Sequence, residues 1–229
     1  MTTRPELTLA QRKRQLVSDE LTEAALQLFA VKGFDAVTVD EIVAAAGVSK
    51  RTFFRYFASK EDVVVQFLAD MGTGIRAELA ARPAEEPPSV ALRHAMAVPI
   101  DACTDHPDHT ERALRVVRLI LGTPALHARF LERRLRWSDD LAAELTDRLG
   151  LTHRPGLSPG GRPDGAADLY PRLAAGVALT AFDVTLQQWS AGDGTDDPAE
   201  LMERAFAVLA PALDGQTAPP PPSPTSAAT

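Results

Sequence analysis

Residues 38–60 read TVDEIVAAAGVSKRTFFRYFASK, and no other stretch restricts the fold as strongly. Thr38 with Glu41 three residues on is a capping box, which satisfies two of the amides that open a helix. Val37 and Ile42 occupy the two positions of a hydrophobic staple. Ile42, Val43, Ala45 and Ala46 supply apolar or small packing positions, and Gly47 stops the helix. Val48 is the expected buried residue of the turn, Ser49 caps a second short helix and Ser59 caps the next one. The pattern is a helix, a tight turn and a short helix carrying Lys50, Arg51 and Arg55: a helix-turn-helix.

In such a motif the second helix lies in the major groove and its first residues meet base edges. Here those are Ser49, Lys50, Arg51 and Thr52. Lys and Arg suit guanine O6 and N7, and the Thr methyl suits a thymine methyl. Phe53 and Phe57 are four apart, so they share a face and should pack inward. Phe54 and Tyr56 point off that face and complete the expected DNA surface, Tyr56 offering its hydroxyl to a phosphate. Thr38 at a helix N-terminus and Lys60 at the start of the following helix are expected to meet phosphates too. Short amphipathic helices joined by a glycine also occur in bundles that never touch DNA. Lys50 and Arg51 alone would read as a solvated face. The capping box, the Gly47 turn, the Ser49 cap and a basic, aromatic helix occurring together favour DNA.

Charge is spread unevenly. The chain of 229 residues carries a net charge of −7, which argues against a protein that coats nucleic acid over its whole surface. Residues 1–60 hold nine Lys/Arg against seven Asp/Glu, so the acidity lies in the remainder. A DNA-facing head and an acidic body follow. Cys103 is the single cysteine, which fits a reducing compartment. The N-terminal MTTRPELTLAQRKRQ lacks an apolar signal region, and no apolar run approaches the roughly 20 residues of a membrane span. A cytoplasmic location without membrane contact is expected.

The rest of the chain also reads as helix, with no strand pattern. After an arm over residues 1–9, Leu21, Ala24, Ala25, Leu28 and Phe29 mark one face of a helix from about Leu9 to Lys32, ended by Gly33. A helix from Lys60 to about Arg82 places Val63, Val64, Phe67, Leu68 and Met71 on its core side. Helices are predicted over Ser89–Thr104 with a bend near Pro99, over Pro107–Gly122, over Ala125–Leu149, over Ala166–Ala191 and over Pro198–Leu213. Residues 150–165 form a Pro/Gly-rich loop, and 214–229 a disordered Pro-rich tail. The expected fold is all-α: a three-helix DNA-binding head over 1–60, then a helical bundle over 61–213 for ligand binding and dimerisation.

Gly33-Phe34, Thr38, Ala46-Gly47-Val48-Ser49, Thr52-Phe53-Phe54, Tyr56-Phe57 and Ser59-Lys60-Glu61 follow one another as in the N-terminal domain of TetR/AcrR-family transcriptional regulators, which this region resembles. Phe54 stands where that family commonly has Tyr, and Arg51 where it commonly has Gly, so the operator sequence should differ. The stretch from Arg112 to Gly150, with the later LAAGVALTAF, resembles the C-terminal domain of a subgroup thought to bind acyl-CoA-like ligands, mycofactocin-type regulators among them. The resemblance implies a homodimer that represses transcription and releases its double-stranded DNA operator when a small molecule binds the body. Helices 166–191 and 198–213 carry more apolar surface than one face needs. Ala174, Ala175, Ala178 and Ala181 would let helices approach closely across a two-fold interface.

A ligand pocket needs apolar walls and a few placed polar groups. Met71, Met96, Phe130, Trp137, Phe182 and Trp189 are the candidate walls, and Arg115 and Arg134 the candidate phosphate partners. Ordinary core burial and solvated helix faces are the competing explanations of these residues. The cluster Asp105-His106-Pro107-Asp108-His109 contains metal-ligand residue types, but capping explains the aspartates and two further ligands are missing, so no metal is expected. No cofactor is called for. A helical enzyme acting on an acyl-CoA is a second function class, but there is no P-loop, no HExxH and no GxSxG elbow, the string GLSPG at 156–160 falling inside the Pro/Gly-rich loop with no strand pattern before it. A DNA-binding regulator without an effector is a third.

Overall fold

The computed structural model describes residues 8–104, 107–151, 169–192 and 195–215. Residues 1–7 of the arm expected over 1–9, most of the Pro/Gly-rich loop, Asp105 and His106 of the His/Asp cluster, and the tail from 216 lie outside the described residues, while Thr8 and Leu9 belong to the start of the first helix. Within them the chain forms helices α1 (Leu9–Lys32), α2 (Val39–Ala45), α3 (Lys50–Tyr56), α4 (Lys60–Ala81), α5 (Pro88–Thr104), α6 (Pro107–Gly122), α7 (Pro124–Arg148), α8 (Leu169–Ala191) and α9 (Pro198–Asp214). The all-α expectation holds, with no strand among the described residues.

The local chemistry explains each boundary of the first three helices. Thr8 and Gln11 form a capping box that opens α1, and Gly33 closes it at φ 84°. Thr38 and Glu41 form the second capping box, and Gly47 turns the chain at φ 65°, where a side chain would be strained. Ser49 Oγ accepts the Thr52 amide at 3.1 Å and so caps α3. Val37, Ile42, Phe53 and Phe57 are all buried, as staple and inward face require, and Phe53 and Phe57 lie 5.5 Å apart between ring centroids. Burying a Phe or Ile side chain stabilises by roughly 1.5–3 kcal/mol, so these few contacts hold α2 and α3, which at seven residues each are too short to persist alone.

Helix α4 ties the head to the body, because it packs on α1 and also on α5 and α7. Head and body share one contiguous hydrophobic core, running from Leu21 and Phe29 through Leu68 and Ile75 to Phe182 and Phe206. Helices α4 and α7 approach closely at Gly72, where the Trp137 indole occupies the space that any side chain would need. Arg148 closes the α4–α5 turn by donating to the carbonyls of Arg82, Pro83 and Glu86. Ser89 donates its amide and hydroxyl to the Asp214 carboxylate, and Tyr170 donates to the Leu213 carbonyl, which fastens the end of α9 to the starts of α5 and α8.

One sequence expectation is corrected here. Ala174, Ala175, Ala178 and Ala181 are buried within the protomer. Helix α8 packs against α5, α6, α7 and α9, and small side chains permit that crowding. The apolar residues that α8 leaves to solvent are Leu169, Leu173 and Val184, with Val208 on α9.

Candidate functional site

Two structural features invite a function: the outer surface of α3, and a cavity beneath α1 and α4. On α3, Ser49, Lys50, Arg51, Phe54 and Arg55 are exposed, Thr52 and Tyr56 half-buried. Phe54 stands edge-on to Phe53 with its ring in solvent. Lys50 pairs with Asp40 of α2 at 2.9 Å, a solvent-exposed bridge that yields readily to a stronger anion. Arg51 makes no hydrogen bond or ion pair among the described residues, so its guanidinium is available to a base edge. Tyr56 lies between two guanidiniums, Arg55 at 5.1 Å and Arg14 of α1 at 5.8 Å from its ring centroid.

Thr38 is held in place rather than idle. Its amide and hydroxyl donate to Glu41 Oε2 at 2.8 and 3.0 Å, leaving the amides of Val39 and Asp40 as the unpaired donors of that helix end. The hydrogen bond from Lys32, with help from the Thr38 amide and hydroxyl, holds the Glu41 carboxyl down to about 2 from its ordinary 4.5. A carboxyl lowered by folding contributes stability that is present above its unfolded pKa and lost as pH falls through the folded value. The melting temperature is therefore expected to drop between pH 4.5 and about 2 more steeply in the parent than in Glu41→Gln. Parallel acid limbs for the two proteins would remove Glu41 from the acid response.

The cavity has a volume of about 510 Å³. That is within the range of small-molecule sites, roughly 300–1,000 Å³. Phe67, Leu68 and Met71 of α4 form one wall, and Ala113, Val116, Val117 and Ile120 of α6 face them. Phe130, Phe182, Leu186 and Trp189 close the far side, and the Pro99 ring of α5 joins the lining. Asp19, Thr22, Glu23 and Leu26 of α1 complete it. The ionisable lining consists of the acids Asp19, Glu23 and Asp70 with His109 and Arg112, the last of which pairs with Glu23. Partial burial, reinforced by the charge of Asp19, holds the Asp70 carboxyl above its ordinary range against a hydrogen bond from Gln66.

The described residues contain no group of three or more potential metal ligands, and no helix long and apolar enough to cross a membrane. Residues 21–67 match the family profile described as bacterial regulatory proteins, tetR family, and residues 86–214 match that of the MftR C-terminal domain. The transcriptional regulator TcmR of Streptomyces glaucescens is 31% identical over 201 residues, covering 86% of this chain and 83% of that protein. This chain belongs to the TetR family of transcriptional regulators. MftR of Mycobacterium tuberculosis, named for regulation of mycofactocin biosynthesis, is 29% identical and aligns with 92% of the chain and 98% of its own length. Among solved structures, the Bacillus subtilis regulator FadR in complex with stearoyl-CoA superposes with a TM-score of 0.57 at 19% identity, over 84% of this chain and 97% of that one. That likeness supports the shared fold.

Within this TetR regulator, four of the eight residues expected around a ligand line the cavity: Met71, Phe130, Phe182 and Trp189. The other four do not. Met96 is wholly enclosed in the core. Trp137 stacks edge-on behind Phe130 and Phe182, one layer back from the cavity. Arg115 turns outward to Glu111 on its own helix at 3.3 Å. Arg134 pairs with Asp183 and donates to Thr180 of α8 at 3.1 Å. Burial outweighs that guanidinium and holds the Asp183 carboxyl above its ordinary range. The α6 arginine that does reach the cavity is Arg112, and helical phase identifies it: Ala113, Val116, Val117 and Ile120 form the apolar stripe, and Arg112 borders it. The α1 wall carried no such signal, because α1 reads as part of the head alone.

Lys60 is also placed differently from its expected role. Its ammonium donates to the carbonyls of Phe34, Asp35 and Val37 at 2.8, 3.3 and 3.0 Å and rests 4.6 Å from the Phe34 ring centroid. All three N–H donors are occupied, so Lys60 fastens the α1–α2 loop to α4.

Proposed function

We propose that this TetR-family regulator is a cytoplasmic, homodimeric repressor whose α3 reads an operator and whose grip on DNA is loosened by a small apolar effector in the cavity. One observation carries the reading. The cavity is walled by α1, on which α2 packs and through α2 the recognition helix α3, and by α4, which follows α3 directly in the chain. A molecule that fits best when those walls move apart lowers the population of the DNA-competent head by its difference in affinity for the two states. In this reading residues 1–60 form the head and 61–213 the effector-binding and dimerising body, with α4 belonging mechanically to both. Ser49, Lys50, Arg51, Thr52 and Phe54 face the bases, while Tyr56 and the α2 terminus at Thr38 face phosphates. Two copies join through α8 and α9, burying Leu169, Leu173, Val184 and Val208, and sedimentation giving one-chain mass at operator-binding concentration would exclude that.

The apolar walls suit an acyl chain, which makes a long-chain acyl-CoA the first effector to test. The acidic side chains of the lining disfavour the phosphates of CoA, which would then remain outside the cavity. The test is fluorescence anisotropy on DNA from upstream of the protein's own gene and on random DNA, with and without long-chain acyl-CoA. Sequence-dependent binding that acyl-CoA releases supports the whole reading. Binding that no apolar ligand alters leaves a regulator without an effector, and turnover of the thioester would favour an enzyme instead. In the same assay Arg51→Ala is expected to lose about 1–3 kcal/mol of specific binding and to relax base preference at one position. Unchanged specificity would take Arg51 off the base-reading surface.

A further inference from the structure

The cations of the head divide into two groups. Lys32 is paired with Glu41, Lys50 with Asp40, and Lys60 with three carbonyls. Arg12, Lys13, Arg14, Arg51 and Arg55 have no acidic partner among the described residues. Arg51 belongs to the start of α3, but Arg14 and Arg55 meet at one other place. Arg14 lies over the Tyr56 ring, and Arg55 lies over it too while reaching the Tyr56 hydroxyl at 3.5 Å. Arg12 and Lys13 extend from the same early turns of α1 and are exposed. These turns precede residue 21, where the match to the family profile begins.

The helix phase accounts for the contact. Arg14, Val17 and Leu21 fall on one stripe of α1, spaced three and four apart. Leu21 is buried and Val17 packs on the core. Arg14 continues that stripe beyond the end of the core, where the neighbouring surface is the last turn of α3. An aromatic ring holding two guanidiniums keeps two unneutralised charges at the end of the recognition helix, and apart from the one that Arg55 directs at the Tyr56 hydroxyl their hydrogen-bond donors can turn to phosphate oxygens.

We propose that Arg14 and Arg55, seated on Tyr56, form a second DNA contact that binds backbone phosphates flanking the bases read by α3. The proposal rests on the reading that α3 lies on the operator. It adds affinity without sequence preference, since phosphates carry no base information.

The experiment is anisotropy of Arg14→Gln, Arg55→Gln and Arg51→Ala against operator and random DNA from low to moderate salt. Each phosphate contact on B-DNA contributes about 0.9 to the slope of log K against log salt. Arg14→Gln and Arg55→Gln are each expected to flatten the slope by about 0.9 per protomer on both DNAs, leaving the ratio of operator to random affinity as in the parent. Arg14→Lys should keep the slope. A variant that is merely part-unfolded lowers the active fraction but keeps the slope of the remainder, so the slope separates contact from folding. Parental slopes in Arg14→Gln and Arg55→Gln, with Arg51→Ala still losing specificity, overturn this contact alone. A parent protein that shows no salt-dependent DNA binding overturns both the contact and the operator reading.

Discussion

Gly72→Ala is expected to lower the stability of the chain by about 3 kcal/mol, the upper end of what overpacking a well-filled core costs. A Cβ at position 72 would sit 1.9 Å from Trp137 Nε1 and 2.3 Å from Cδ1, far inside contact distance. The indole has little room to retreat, because it is almost wholly buried with Phe130 6.0 Å and Phe182 6.5 Å away between ring centroids. Relief must then come from separating α4 from α7. Trp137→Phe removes the atom that collides most closely. It also removes an indole N–H that has no partner among the described residues, which offsets part of the cost of the smaller ring. In the Gly72→Ala background it should restore much of the loss. Chemical denaturation of the four proteins measures the coupling between the two sites. Additive effects would show that α4 and α7 do not meet as tightly at this point as the structure has them. Because α4 also carries the cavity wall, the same substitution should alter any effector response.

Lys60→Met is expected to destabilise the protein by about 2 kcal/mol while leaving the salt slope of DNA binding unchanged, since hydrogen bonds to a charged group contribute about 1.5–3 kcal/mol. The lysine is half-buried and satisfies three carbonyls of the α1–α2 loop. Methionine keeps most of the stem that lies against Phe34 but withdraws every donor. The carbonyls of Phe34 and Val37 would then depend on water, and the loop that aims α2 would loosen. Thermal melts and salt titrations on the same preparation separate the two roles. A parental melting temperature together with a flatter salt slope would reassign Lys60 to a phosphate. This contrasts with Arg14 and Arg55, whose removal should move the slope and leave the melt close to the parent's.

The two residues show how lysines of similar sequence appearance diverge. Lys50 and Lys60 both sit at the first position of a helix after a serine cap. Nothing in their local sequence separates them. Lys50 looks outward to an exposed aspartate, and Lys60 looks back at a loop more than 20 positions earlier in the chain.

The sequence by itself determined whatever depends on neighbours within one or two helical turns. Capping boxes at Thr38 and serine caps at Ser49 and Ser59, the stops at Gly33 and Gly47, and the inward pair Phe53 and Phe57 all act over three or four residues, so they placed the helices and the recognition surface. The apolar stripe of each body helix was legible for the same reason. What that stripe faces is not a local property. Whether Met96 meets a cavity or solid core, whether the alanines of α8 pack within one protomer, and whether α1 lines the cavity depend on how the nine helices of the described residues are stacked. Only the tertiary structure decided those points, along with the Lys60 clamp, the Gly72–Trp137 contact and the Arg14–Tyr56–Arg55 cluster. Each is a meeting of side chains from different helices, fixed by packing that no periodicity encodes.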